Sequence, residues 1–207
     1  KPVTCIIGGS KISTKIGIIS KLIKNVNNII IVGAMANNFL AYKGFKIGKS
    51  LLEKNVETII EKIYLEGKKN NCEIIIPTDC AVSTSFEGSN TVKKQNLINE
   101  DEIILDIGSE TIKNIEDIID DSKTILWNGP AGYFENKNFS KGTDAIANKI
   151  SENTINKSLI SIIGGGDTVS AINKLQKKLM FSHLSTAGGA FLEFLEGKDL
   201  PGLSVLK

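Results

Sequence analysis

Hydrophobic positions along this chain fall into short, nearly unbroken runs, separated by longer stretches in which apolar and polar residues alternate with a helical period. The runs at Val3–Ile7, Asn28–Val32, Glu73–Ile76, Glu102–Asp106, Thr124–Trp127 and Leu159–Ile163 are rich in β-branched residues. Their continuity suits strands buried on both faces of a parallel sheet. Between them, helical patterns occupy about Ser13–Lys24, Met35–Tyr42, Val56–Asn70, Ser109–Ile119, Asp144–Ser151 and Thr168–Lys177. A last one, about Gly189–Leu195, precedes the turn Gly197–Gly202. The alternation predicts a doubly wound α/β domain, a mostly parallel sheet built from these six runs with right-handed crossovers. One segment breaks the rhythm: Ala81–Asn96 is polar, with Val82, Thr84 and Phe86 alternating, and suits a small β-ribbon.

In sheets of this kind ligands bind at the carboxyl ends of the strands. Glycines follow the strand candidates there: Gly8–Gly9 after the first, Gly33 after the second, Gly129 after the fifth and Gly164–Gly166 after the sixth. There is no internal repeat and no linker long enough to divide the chain, so residues 1–207 are expected to form one domain.

Composition narrows the function. With 207 residues, 41% hydrophobic and 23% charged, the chain can bury a substantial core without disulfides or metals. A net charge of +2 gives no nucleic-acid footprint. All 25 basic residues are lysines, so any phosphate chemistry done by this chain relies on Lys, backbone N–H groups or a metal ion. Cys5, Cys72 and Cys80 form neither a disulfide framework nor a zinc pattern, which points to a reducing, cytoplasmic home. Apolar runs such as Ile29–Gly33 are far short of a membrane span, and no signal peptide precedes the first strand. The chain opens on Lys1 directly before a strand, which reads as the middle of a longer protein.

Four motifs are candidates for chemistry. Ile162-Ile163-Gly164-Gly165-Gly166-Asp167-Thr168 runs from a buried strand through three glycines into a helix, whose opening N–H groups face an anion. Asp167 would repel a bare phosphate there but suits a divalent cation bridging carboxylate and phosphate. The plainer account is a glycine turn with Asp167 as an N-cap. In Gly8-Gly9-Ser10-Lys11-Ile12-Ser13-Thr14-Lys15, a helix would put Lys11 and Lys15 on one face, in first turns where the dipole disfavours cations unless an anion is near. Two solvated surface lysines are the alternative. The segment is not a phosphate-loop G-x-x-x-x-G-K-[ST] motif.

Trp127-Asn128-Gly129-Pro130-Ala131-Gly132-Tyr133-Phe134-Glu135 ends a strand in a rigid turn. Its Glu135 suits ribose hydroxyls, and the turn suits a wall for a base; equally, Tyr133 and Phe134 fit as core residues. Ser185-Thr186-Ala187-Gly188-Gly189-Ala190 is a further glycine pair opening a helix, with His183, the single histidine, just before it and more in keeping with a structural role. No nucleophile elbow or Cys–His arrangement is present. The three glycines lack the G-x-G-x-x-G context of a dinucleotide fold, so a dehydrogenase rests on fold class alone.

Taken in order, these four motifs resemble the phosphoglycerate kinase family. The likeness runs from Val3 to about Leu203 and includes Gly33-Ala34-Met35-Ala36, Pro77-Thr78-Asp79, Leu105-Asp106-Ile107-Gly108 and Leu195-Glu196-Gly197-Lys198. It implies a glycolytic enzyme that moves a phosphoryl group between 1,3-bisphosphoglycerate and ADP, giving 3-phosphoglycerate and ATP. It further implies two Rossmann-like domains, of which this sequence matches only the C-terminal, nucleotide-binding one. The N-terminal, phosphoglycerate-binding domain, with the catalytic Arg, is not in this sequence. By the resemblance, Lys11 and Lys15 contact the phosphates, Lys15 following the transferred group. Asp167 holds the nucleotide's Mg²⁺. Thr168 and the amides of Gly164, Gly165 and Gly166 surround the β and γ phosphates of ADP or ATP. Gly9, Ser10, Gly33 and Leu105 line the adenine pocket, with Gly129 and Ala131 opposite. Asn128 reaches a phosphate, Glu135 the ribose, and Gly188 and Gly189 open the helix facing the acyl phosphate.

The resemblance also implies a monomer with no nucleic-acid or membrane partner. Ser10, Thr14, Ile104, Ser109 and Ala187 depart from the family pattern, standing where Ala, Asp, Gly, Pro and Gly are usual. The alternative function is a free-standing or degenerate nucleotide-binding module without kinase activity.

Overall fold

A computed structural model of the chain describes residues 1–185 and 187–205. The first half runs β1 (Val3–Ile7), α1 (Ile16–Leu22), β2 (Asn28–Ile31), α2 (Ala36–Tyr42), α3 (Glu57–Lys69), β3 (Glu73–Ile75), β4 (Asp79–Ser83) and β5 (Thr91–Lys94). The second runs β6 (Ile103–Ile107), α4 (Ser109–Asp121), β7 (Thr124–Asn128), α5 (Lys141–Asn156), β8 (Ile160–Gly164), α6 (Gly166–Lys174), β9 (His183–Ser185), α7 (Gly188–Leu195) and α8 (Pro201–Ser204).

Six strands form one parallel sheet in the order β3-β2-β1-β7-β8-β9. Side chains alternate across it. Cys5, Ile7, Ile29 and Ile31 pack on one side with Ile18 and Ile19 of α1, Ile23 at its C-cap, Phe39 of α2 and Ile60 and Ile63 of α3. Ile6, Ile30, Ile125, Trp127 and Ile163 pack on the other with Ile115 and Ile119 of α4, Ile146 and Ile150 of α5 and Ile172 of α6. Burial on both faces explains why the strands read as unbroken apolar runs.

The doubly wound α/β expectation holds, with a correction to its membership. The run at Glu102–Asp106 does not join the parallel sheet. As β6 it pairs antiparallel with β4, which also pairs with β5, in a separate three-stranded sheet. The sixth parallel strand is instead β9, three residues long and half-exposed or exposed throughout, too short and too polar to carry a strand signature in the sequence. The polar Ala81–Asn96 segment carries the end of β4 and all of β5, an antiparallel pair as expected of a small ribbon, but of the alternating residues only Val82 lies in a strand; Thr84 and Phe86 fall in the connection between the two.

In this sheet the chain steps outward from β1 through β2 to β3, then returns to the other side of β1 for β7, β8 and β9. The direction reverses between β1 and β7, and a crevice opens at the carboxyl ends of the strands at such a reversal. Two aspartates fasten the small sheet beside it. Asp79 accepts hydrogen bonds from Glu110 N (3.0 Å), Thr111 N (2.8 Å) and Thr111 Oγ1 (2.6 Å) at the start of α4. Asp106 accepts from Gly142 N in the first turn of α5 (2.8 Å) and from Ile107 N (2.9 Å).

Candidate functional site

The turns after β1, β2, β7 and β8 meet at that reversal. Gly8 N donates to the Asn128 carbonyl (2.8 Å), Met35 N to that of Gly9 (2.8 Å) and Gly33 N to that of Ala131 (3.0 Å). Gly129 sits at φ +99, and a Cβ there would strike the Gly8 backbone. Glycine is therefore required by both torsion and contact.

Lys15 is the charged centre. Its half-buried Nζ donates to Oδ1 of Asn128 at 2.6 Å. Asn128 is buried, and its Nδ2 donates to the Gly164 carbonyl at 2.7 Å, which fixes the amide's orientation and hence the acceptor offered to Lys15. Burial pushes the Lys15 ammonium below its usual range, with Asp167 and then Glu196 pulling it back. Asp167 is exposed in the first turn of α6, whose N-cap is Gly165 at φ +105.

A cavity of about 420 Å³ adjoins these groups. Its volume is in the range of small-molecule sites. Gly9, Ser10, Gly33, Leu105, Ala131, Glu135 and Asp167, all expected site residues, line it. Leu105 comes from β6, so the small antiparallel sheet supplies the wall opposite the β7 turn. The aromatics of that turn serve the cavity: Phe134 lines it, and Tyr133 packs edge-on against Phe86 from the β4–β5 connection, ring centroids 5.4 Å apart. Tyr133 N donates to the Leu105 carbonyl (2.7 Å), locking the two walls together.

Lys15, Asn128, Gly129, Gly164, Gly165, Gly166 and Thr168 cluster at the strand ends beside the cavity rather than lining it. Thr168 is fully buried. Its Oγ1 accepts from Gly129 N (2.7 Å) and donates to the Gly164 carbonyl (3.0 Å), so its hydroxyl braces β7 against β8.

The helical pairing of Lys11 with Lys15 is not found. Helix α1 starts at Ile16, and the two lysines lie in the turn before it, where Lys15 N donates to the Ile12 carbonyl (2.9 Å) and Thr14 Oγ1 to that of Lys11 (2.9 Å). Lys11 is exposed. Gly188 and Gly189 open α7, outside the cavity lining, and Thr186 lies outside the described residues. Helix α7 still bears on the site, because Phe191 packs where a Cβ on Gly164 would stand, and Glu196 just beyond its end lies against Gly17. His183 is exposed on the edge strand β9.

Sequence reasoning did not single out Asn37, Leu40, Lys49, Pro77, Cys80 and Phe86 as lining residues. They come from α2, from β4 (Cys80) and from loops around the small sheet, and no local pattern marks them.

The phosphoglycerate kinase family profile matches residues 1–198. The chain belongs to the phosphoglycerate kinase family. It is 44% identical over 210 residues to the phosphoglycerate kinase of Wolbachia sp. subsp. Drosophila simulans (strain wRi), covering all of this chain and 52% of that protein. It is 45% identical over 209 residues to the phosphoglycerate kinase of Bradyrhizobium diazoefficiens, with the same coverage of 100% and 52%. The solved phosphoglycerate kinase of Coxiella burnetii superimposes with a TM-score of 0.93 at 39% identity, over 100% of this chain and 53% of that one. That of Pyrococcus horikoshii OT3 gives 0.78 at 27% identity, over 100% and 52%. The chain thus spans about half the length of the curated phosphoglycerate kinases it matches. Among the described residues no helix is long and apolar enough to cross a membrane.

Proposed function

We propose that this chain is the C-terminal, nucleotide-binding domain of a phosphoglycerate kinase and supplies the ADP/ATP site. The observation that carries the reading is Lys15: a half-buried ammonium held by Asn128, facing Asp167, beside a cavity of nucleoside size. The base enters between Leu105 and Ala131, Glu135 meets the ribose at the rim, and the phosphates run toward Lys15 and the N–H groups opening α6. Lys11, exposed on the same turn, is free to swing toward a bound phosphate. The Asn128 carboxamide keeps Lys15 directed at the strand ends.

The donor set suits Mg²⁺ carried on the nucleotide. Among the described residues no cluster of three His, Cys, Asp or Glu side chains is present, so the ion would arrive with the nucleotide phosphates, and Asp167 would be the carboxylate that holds it. Such an ion neutralises phosphate charge during transfer. Phosphoryl transfer needs positioning and charge stabilisation rather than a protein nucleophile, which fits a site of one half-buried lysine and aligned amides. In the whole enzyme, an ADP oxygen takes the phosphoryl group of 1,3-bisphosphoglycerate, releasing 3-phosphoglycerate. The acyl phosphate is held by the other half, so this chain alone transfers phosphate poorly or not at all. Its three buried free thiols suit a cytoplasmic protein.

Calorimetric titration with ADP, with and without Mg²⁺ and with NAD as control, tests the reading. Binding of ADP, lowered roughly tenfold or more in Lys15→Ala, with the magnesium-dependent part lost in Asp167→Ala and no binding of NAD, supports it. Folded protein that ignores ADP, or prefers NAD, refutes it.

A further inference from the structure

The turn that carries Lys11 and Lys15 is tied down on both sides. On one, Met35 N at the start of α2 donates to the Gly9 carbonyl (2.8 Å). On the other, Ser13 N donates to Oε2 of Glu53 at 3.1 Å. Glu53 is half-buried in the connection between α2 and α3, and two buried amides in the first turn of α2 hold that connection in place. Asn37 Nδ2 donates to the Leu51 carbonyl (3.1 Å). Asn38 Oδ1 accepts from Glu53 N (3.0 Å), while its Nδ2 donates to the Met35 carbonyl (3.4 Å). The bonds close a circuit, from Gly9 to Met35, Met35 to Asn38, Asn38 to Glu53 and Glu53 back to Ser13. Burying an amide is costly unless hydrogen bonds offset it, and here those bonds aim a loop carboxylate at the lysine-bearing turn. Hydrogen bonding from Ser13 chiefly holds the Glu53 carboxyl below its usual range, with the Lys11 ammonium adding to it.

We propose that Glu53 is a positioning residue for the phosphate-facing turn, its carboxylate accepting from Ser13 N and so holding the backbone from which Lys11 and Lys15 reach the phosphates. The inference rests on the nucleotide reading above and concerns the grip on the phosphates, not the base. Ser13 lies two residues from each lysine, so a shift of its backbone moves both. Lys15 N donates to the Ile12 carbonyl (2.9 Å), which makes Ser13 and Thr14 the central residues of a tight turn with Glu53 fastened to its apex. The acceptor is what serves the site. The negative charge of Glu53 works the other way, since it attracts Lys11 and repels a phosphate.

The test is calorimetric titration of the intact chain, Glu53→Gln and Glu53→Ala with ADP and Mg²⁺, with adenosine read by its displacement of ADP. A glutamine oxygen still accepts from Ser13 N, whereas alanine leaves that N–H to water. Glu53→Ala is expected to bind ADP about fivefold more weakly, and Glu53→Gln to stay within about twofold of the intact chain. Adenosine, which has no phosphate, should bind all three alike. Three results overturn the proposal and leave the nucleotide reading standing: unchanged ADP binding in folded Glu53→Ala, an equal loss in Glu53→Gln, or a parallel loss of adenosine. Should adenosine not displace ADP, the contrast between the two variants decides alone. Should Glu53→Ala not fold, Ser13→Pro removes the donor instead, at the second position of the turn, where proline is favoured. It should weaken ADP binding by about the same factor, and unchanged binding overturns the proposal. If the intact folded chain binds no ADP, the nucleotide reading has failed and takes this proposal with it.

Discussion

Lys15 and Asn128, separated by 113 positions in sequence, form a 2.6 Å hydrogen bond at the point where the sheet reverses direction. Asn128 ends β7 and Lys15 ends the turn after β1, and these two strands pair in register from Val3↔Thr124 to Ile7↔Asn128. The bond is thus a consequence of strand register. Asn128→Leu removes the acceptor for Lys15 and the donor to the Gly164 carbonyl together. It should destabilise the fold by about 1–3 kcal/mol, read as a lower urea midpoint with an unchanged slope. Lys15→Ala, which leaves the Asn128–Gly164 bond in place, should cost less stability and more nucleotide affinity.

Burial holds the Lys15 ammonium below its ordinary value of 10.5, so the folded chain gives up this proton before the unfolded chain does. Between the lowered value and 10.5 the unfolded state binds more protons, and Lys15's contribution to stability rises with pH. Nucleotide phosphates favour the charged form. ADP affinity should therefore fall as pH rises through the lowered value, and Lys15→Ala should flatten that fall. Titrations across this range check both signs.

Asp106 gives the opposite slope. Burial raises its carboxyl to about 7 from 3.8, against the pull of the Gly142 and Ile107 N–H groups. Over that window the folded state binds the extra proton, so this residue's contribution to stability declines as pH climbs from 3.8 to about 7. Asp106→Asn, neutral throughout, should remove that decline from the profile of urea midpoint against pH.

Gly129→Ala places a methyl group against the Gly8 backbone at a torsion of φ +99 that L-residues rarely adopt. Overpacking and backbone strain together should cost on the order of 3 kcal/mol. Because the displaced turns carry Asn128 and Ala131, ADP binding should weaken as well. Thermal melting and calorimetry on the same sample separate the two effects.

The sequence by itself determined the sheet strands that are buried on both faces. Ile6 and Ile7, or Ile30 and Ile31, leave no polar face to solvate, and the chemistry of a β-branched run shows in its local order. It also marked the turns at Gly9, Gly129 and Gly165, because only glycine tolerates those torsions, whatever surrounds them. Tertiary structure decided the rest. Strand β9 has three residues and no apolar run, so only its pairing with β8 makes it a strand. The Glu102–Asp106 run is as apolar as a parallel strand, yet Asp79 and Asp106 tie its sheet to the starts of α4 and α5 instead. Lys11 and Lys15 share a spacing that suits one helical face, but α1 begins after both, and only Lys15 finds a partner across the sheet. Asn37 is one Asn among many in this sequence, and its place on the cavity wall depends on where Leu51 and the small sheet come to rest. Local order encodes torsion and burial period; which side chains meet is set by long-range register, and register is a property of the whole packed sheet.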